Sequence, residues 1–174
     1  MTLTDARQFN ISTLSELESV LLHLSEKQYK KTSSLLSSSV GTHVRHIIEF
    51  YHCFFKGLDY GAIDYDNRPR NHTLEESVEQ AIDYLKNIHL LLSGHDMTHY
   101  PETVAVVAVM NSGSPIQTSS SIIRELLFLQ GHTTHHLALI ALMLEQEGIK
   151  LPVDFGLATS TRLHRQPAES SAQE

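Results

Sequence analysis

The chain has one cysteine among 174 residues, Cys53, which excludes an internal disulfide and fits a reducing compartment. It has no tryptophan, and no apolar run approaches membrane length; the longest near the end is Leu137 to Leu144, against the roughly 20 residues a spanning helix needs. The first residues, MTLTDARQFN, lack a charged segment followed by an apolar core, so no export signal is expected and the expected location is the cytoplasm. Positive charge is scarce. With 13 Lys and Arg against 20 Asp and Glu, the net charge of −7 argues against a broad basic surface, hence against nucleic acid or an anionic membrane as partner. At 41% apolar and 19% charged residues, the composition is that of one globular domain, placed at residues 1–165, with 166–174 expected to be a disordered tail.

What the chain has in quantity is histidine. Six of its twelve histidines fall in two short groups, His43, His46 and His52 in the first and His132, His135 and His136 in the second. Both groups lie in apolar, helix-patterned stretches. The first helix is expected over residues 13–31, with Leu14, Leu17 and Leu24 at helical spacing, and the second over 38–56, ending at Gly57. Residues 59–72 read as a polar loop. A third helix is expected over 73–93, opened by a capping box between Thr73 and Glu76, and the fourth over 120–146. Between the last two, the β-branched run Thr103–Met110, a turn at Asn111–Pro115 and Ile116–Thr118 read as a small hairpin, against the alternative of an apolar loop laid over the end of the bundle. The expected fold class is therefore all-α, an up-down four-helix bundle with a small β-hairpin insertion before the last bundle helix.

On the second helix His43 leads an apolar stripe through Ile47, Phe50 and Phe54, and His46 lies on the same side. On the fourth, His132 and His136 line up with Leu129, Ile140 and Met143; they differ by about 40° around the axis and about 6 Å along it. A lone inward histidine is usually a satisfied core residue. Several on two core-facing stripes need partners for many ring nitrogens at once, and a metal ion supplies one partner for all. From the residues alone His132 and His136 have the commonest ligand spacing, with His135 able to replace His136, to hydrogen-bond a ligand from behind or to face a partner subunit. His46 is preferred on the other helix, with His43 in reserve. Glu49 and Glu125 are candidate carboxylates to orient an imidazole. Cys53 reads as a buried packing residue; Tyr51, Tyr65, Arg68 and Arg70 are possible substrate contacts that nothing in the sequence lifts above surface residues. Residues 154–161 read either as a cover over the open end of the bundle or as a docked tail.

The segments Val40-Gly41-Thr42-His43-Val44-Arg45-His46-Ile47-Ile48 and Gly131-His132-Thr133-Thr134-His135-His136 resemble the DinB-like metal-binding four-helix bundles, a likeness that covers most of the chain. In that family a histidine before an apolar pair on the second helix joins an H-x-x-x-H pair on the last. The resemblance implies His46, His132 and His136 as ligands of nickel, zinc, manganese or iron, with water in the open positions and frequent dimers. Some relatives are transferases or isomerases that use low-molecular-weight thiols. Others are iron-dependent sulfoxide synthases with H-x-x-x-H-x-E, a pattern this chain lacks because Ala138 follows His136 by two. A small-molecule enzyme of thiol-transfer or hydrolase type is thus expected, against the alternative of a non-catalytic metal-binding or stress-associated dimerisation module. A homodimer is expected on a second ground too, since the fourth helix carries Leu127, Phe128, Leu137, Leu139 and Leu142 around its circumference.

Overall fold

The computed structural model of the protein describes residues 1–165; the expected tail at 166–174 lies outside them. Four long helices carry the core: α1 (Leu3–Leu21), α3 (Val40–Tyr60), α5 (Val78–Gly94) and α6 (Ile122–Gln146). Helix α1 packs on α5 and α6, and α3 packs on the same two from the other side, closing a ring. Leu14, Leu17, Ile47, Phe54, Leu85, Leu129, Leu137 and Ile140, from all four helices, are fully buried at the centre. Each such side chain contributes about 1.5–3 kcal/mol on leaving water.

The expectation of an all-α bundle is overturned. Three short helices, α2 (Glu26–Lys30), α4 (Thr73–Glu76) and α7 (Thr159–Arg165), join the four long ones, and the described residues contain a mixed three-stranded sheet in the order β1-β2-β3. Strands β2 (Thr103–Val109) and β3 (Pro115–Ser121) pair antiparallel, while β1 (Ala62–Asp64) pairs parallel with β2, Ile63 opposite Val106. The physical reason is the free edge of β2. Its backbone donors and acceptors need partners. Gly61, at φ 82°, ends α3 in the left-handed conformation and turns the chain onto that edge.

Helix boundaries differ for reasons that lie in the caps. The expected helix over 13–31 begins ten residues earlier and is cut in two, because Thr2 with Asp5 and Ser25 with Gln28 each form a capping box. The box expected at Thr73 and Glu76 does not form. Instead the Asn71 side chain takes both the Thr73 amide and its hydroxyl, at 3.2 and 2.8 Å, and Ser77 caps a fresh helix by accepting from the Gln80 amide. Residues 154–161 dock as a packed segment. Gly156, at φ 73°, lies so close to α6 that a Cβ would stand 2.8 Å from the Ala138 nitrogen, and Arg162 grips Glu16 of α1 through two 2.6 Å bonds.

Candidate metal centre

Two helices bring the histidines together, and both are held in depth. Helix α3 starts where the Ser39 hydroxyl accepts from the Thr42 amide, and Gly41 lets its first turn press against the backbone of α4. About three turns on, α3 is pinned to α1 and α6 by a buried polar chain. The Tyr51 hydroxyl donates to Asn10 Oδ1 at 2.6 Å and lies 3.3 Å from Thr133 Oγ1, and Asn10 Nδ2 donates to the carbonyls of Ala6 and Leu126. Thr133 is the neighbour of His132, so the chain fixes the pitch and rotation of α6 at the cluster.

His46, His132 and His136 each offer one ring nitrogen to a common point, and these nitrogens all lie within 4.8 Å of one another. Their ring centroids are 4.6 to 5.0 Å apart. His132 Nε2 and His136 Nε2 stand 3.3 Å apart. That is the separation of two nitrogens each about 2.0–2.1 Å from one tetrahedral centre. Phe50 stacks on His132 at 4.0 Å and 19°, and also meets His46 at 4.6 Å, locking both rings.

Burial holds all three imidazoles in the neutral form that a metal requires. It lowers His46 from an ordinary 6.5 to about 4, aided by His132 and by the guanidinium groups of Arg68 and Arg45. The same cause takes His132 to about 4 and His136 to about 3, each helped by neighbouring histidines. The tautomers of His136 and His43 form one consistent pair, while His132 Nδ1 is buried without a hydrogen-bond partner among the described residues. With Nε2 lone pairs of His132 and His136 turned toward the common point, His136 Nδ1–H donates to His43 Nδ1 at 2.9 Å, and His43 Nε2–H donates to Ser38 Oγ at 2.9 Å. This proton assignment follows from the network. The donor set fits a divalent transition metal: three neutral imidazoles on two rigid helices, one already oriented from behind.

The other sequence candidates fall into place around this cluster. His43 backs His136 and is not one of the three converging rings. His135 is exposed, its ring 5.1 Å from that of His136, and His52 is exposed. Neither carboxylate hydrogen-bonds an imidazole among the described residues. Glu49 is 2% exposed and accepts from the Asn71 amide at 2.6 Å, with Arg45 and Arg68 each 3.9 Å from its other oxygen. Glu125 accepts from Tyr65 and Ser120 hydroxyls at 2.8 and 2.6 Å. Cys53 is buried, and its thiol is pushed up by that burial.

Tyr65 and Arg68, which the sequence offers as possible substrate contacts without lifting them above surface residues, lie beside the cluster. Tyr65 is 8% exposed and stacks on Phe50 at 5.1 Å, while the Arg68 guanidinium lies 4.9 Å from the same ring. A signal for Tyr65 was present in Ile63-Asp64-Tyr65-Asp66, which alternates apolar and acidic residues as a half-buried strand does. With Phe50, Phe128, Val106 and Glu125, Tyr65 lines a concavity of about 300 Å³ that shares the Phe50 and Phe128 walls with His132. No helix of the described residues is long and apolar enough to cross a membrane. No protein-family description and no curated protein matches the chain.

Proposed function

We propose that the protein binds one divalent transition metal per chain through His46, His132 and His136, nickel or zinc in preference to manganese or iron, and acts on a small molecule by thiol transfer or hydrolysis. The observation that carries this reading is the convergence of three neutral imidazole nitrogens within 4.8 Å on two helices pinned by buried polar contacts. Closed structural zinc sites use four protein ligands, whereas three leave a position for water or substrate. A metal held this way supplies Lewis acidity and eases loss of a proton from a water or thiol. The adjoining concavity is at the small end of the range for small-molecule sites. The likeness to DinB-like bundles points the same way, toward a low-molecular-weight thiol as co-substrate and a cytoplasmic setting that suits the lone, buried Cys53.

Metal content of untagged protein after loading tests the ligand set. Wild type is expected to hold one equivalent and His136→Ala to lose most of it with helical content unchanged. Undiminished metal in the variant would refute the assignment. Adding thiols to cobalt-loaded protein separates the two function classes: a new charge-transfer band marks an open, reactive centre, and an unmoved spectrum marks the non-catalytic metal-binding or dimerisation module. A homodimer forms part of the same proposal. Leu142 of α6 is 55% exposed and Leu35 is 65% exposed, while Leu137 is buried within the chain itself. Sedimentation at micromolar concentration is expected to give a dimer, and a monomer would refute it.

A further inference from the structure

Arg68 reaches the histidine cluster from outside both of its helices. The turn after β1 is fixed by Asp64 Oδ1, which accepts from the amides of Asp66 and Asn67 at 3.0 and 3.1 Å. Arg68 leaves that turn with one Nη donating to the Tyr65 carbonyl, and its guanidinium comes to rest 4.9 Å from the centroid of Phe50. The same Phe50 ring is 4.0 Å from His132 and 4.6 Å from His46. A permanent cation therefore stands one aromatic ring away from two of the three converging imidazoles. Its side chain is only 16% exposed.

The charge is poorly compensated. The carboxylate that approaches it, Glu49, does so at 3.9 Å, beyond hydrogen-bond length, and lies equally far from Arg45. Arg45 has a carboxylate of its own, Glu75 at 2.5 Å. The other oxygen of Glu49 is taken by the Asn71 amide. Arg45 Nε, Arg68 Nε and Glu49 Oε2 are all buried and make no hydrogen bond among the described residues. A largely desolvated guanidinium whose one carboxylate stands beyond hydrogen-bond length and is shared with Arg45 is incompletely compensated. Beside a centre that takes up a divalent cation it is more so, because the two positive charges repel across a ring's width. A negatively charged ligand at the centre relieves both costs together, and the planar fork of arginine suits an anionic donor.

We propose that Arg68 is the anion-recognising group of the site, so that the small molecule it takes carries a negatively charged donor, a carboxylate or a thiolate, held jointly by the metal centre and Arg68. The inference rests on the three-histidine reading and narrows its substrate class. The alternative role for Arg68, bracing the turn after β1, predicts no selectivity for charge.

Cobalt-loaded protein titrated with azide, a small anion, and with imidazole, a neutral ligand, distinguishes them through the visible spectrum. In Arg68→Gln azide is expected to bind about tenfold more weakly, with imidazole affinity and cobalt stoichiometry unchanged. Arg68→Lys, which keeps the charge, is expected to recover most of the azide affinity. Arg68→Met, a neutral side chain that can still pack on Phe50, serves in the same titration if Arg68→Gln does not fold. Azide affinity within twofold of wild type in the neutral variant, or equal loss for azide and imidazole, would overturn the proposal. Failure of the wild-type protein to take up cobalt would instead overturn the three-histidine reading on which it rests.

Discussion

Replacing Gly41 by alanine places a methyl group 2.5 Å from the Glu75 carbonyl oxygen, 2.9 Å from a Tyr29 ring carbon and 3.0 Å from the Glu75 Cα. Two of those neighbours are backbone, and Tyr29 is itself fixed, fully buried with its hydroxyl donating to the Leu74 carbonyl at 2.6 Å. Neither side gives way cheaply. Overpacking of this kind costs about 1–3 kcal/mol, and the upper half applies where backbone must move. Alanine regains at most about 1 kcal/mol of helix propensity. The net loss is about 1–2 kcal/mol, or roughly 2–8 °C in Tm for a domain of this size. Gly131 is the matched control. It lies in the middle of α6, next to His132, and a Cβ there meets nothing within 4 Å. Gly131→Ala is expected to stabilise by about 0.5–1 kcal/mol. Thermal melts followed by far-ultraviolet circular dichroism, on chelator-treated protein so that metal linkage does not enter, read both. A Gly41→Ala protein that melts at or above wild type, or a Gly131→Ala protein that melts below it, would refute the packing argument.

Three further outcomes follow from the site and its supports. The imidazoles of His46, His132 and His136 bind protons at about 4, 4 and 3 in the folded state against 6.5 ordinarily, so between pH 6.5 and 4 the unfolded chain carries more protons. Stability of the metal-free protein is therefore full above pH 6.5 and falls through that window; a melting temperature flat across it, or a slope unchanged in His136→Ala, would contradict this. Tyr51→Phe strips a buried donor from Asn10 Oδ1 and is expected to cost about 1–3 kcal/mol in denaturant unfolding; a loss under about 0.5 kcal/mol would show that the polar chain does not brace the helices. Glu125→Gln sets an amide N–H against one of two donating hydroxyls and is expected to destabilise by about 1–3 kcal/mol with metal content intact. Loss of metal in that variant would place Glu125 in contact with the centre.

The histidine cluster was legible because helical spacing converts sequence separation directly into a shared face. His132 and His136 are one turn apart on an apolar stripe, and His46 lies on the facing stripe of a helix that Ser39 and Gly61 bound. Tertiary packing alone decided between His46 and His43: both point inward, but His43 stands behind His136 with Ser38 at its back. The sheet was less legible. Strand β1 is only three residues long, too short for alternation to declare itself, and it exists because β2 leaves an edge to fill. The breaks after α1 and within residues 73–94 turn on single side chains, Ser25, Asn71 and Ser77, whose capping choices compete with equally plausible neighbours. Arg68 did not stand out from the surface residues because a polar loop of Asn, Arg and Pro reads as solvated, and only the pairing of β1 with β2 carries that loop over Phe50.

X-ray absorption fine structure at the metal edge of the loaded wild-type protein tests the central claim most directly. The account predicts three imidazole ligands with nitrogen at about 2.0–2.1 Å, light atoms in any remaining positions and no protein sulfur. Fewer than three imidazoles, or a sulfur shell at about 2.3 Å from Cys53 in protein free of added thiol, would contradict it.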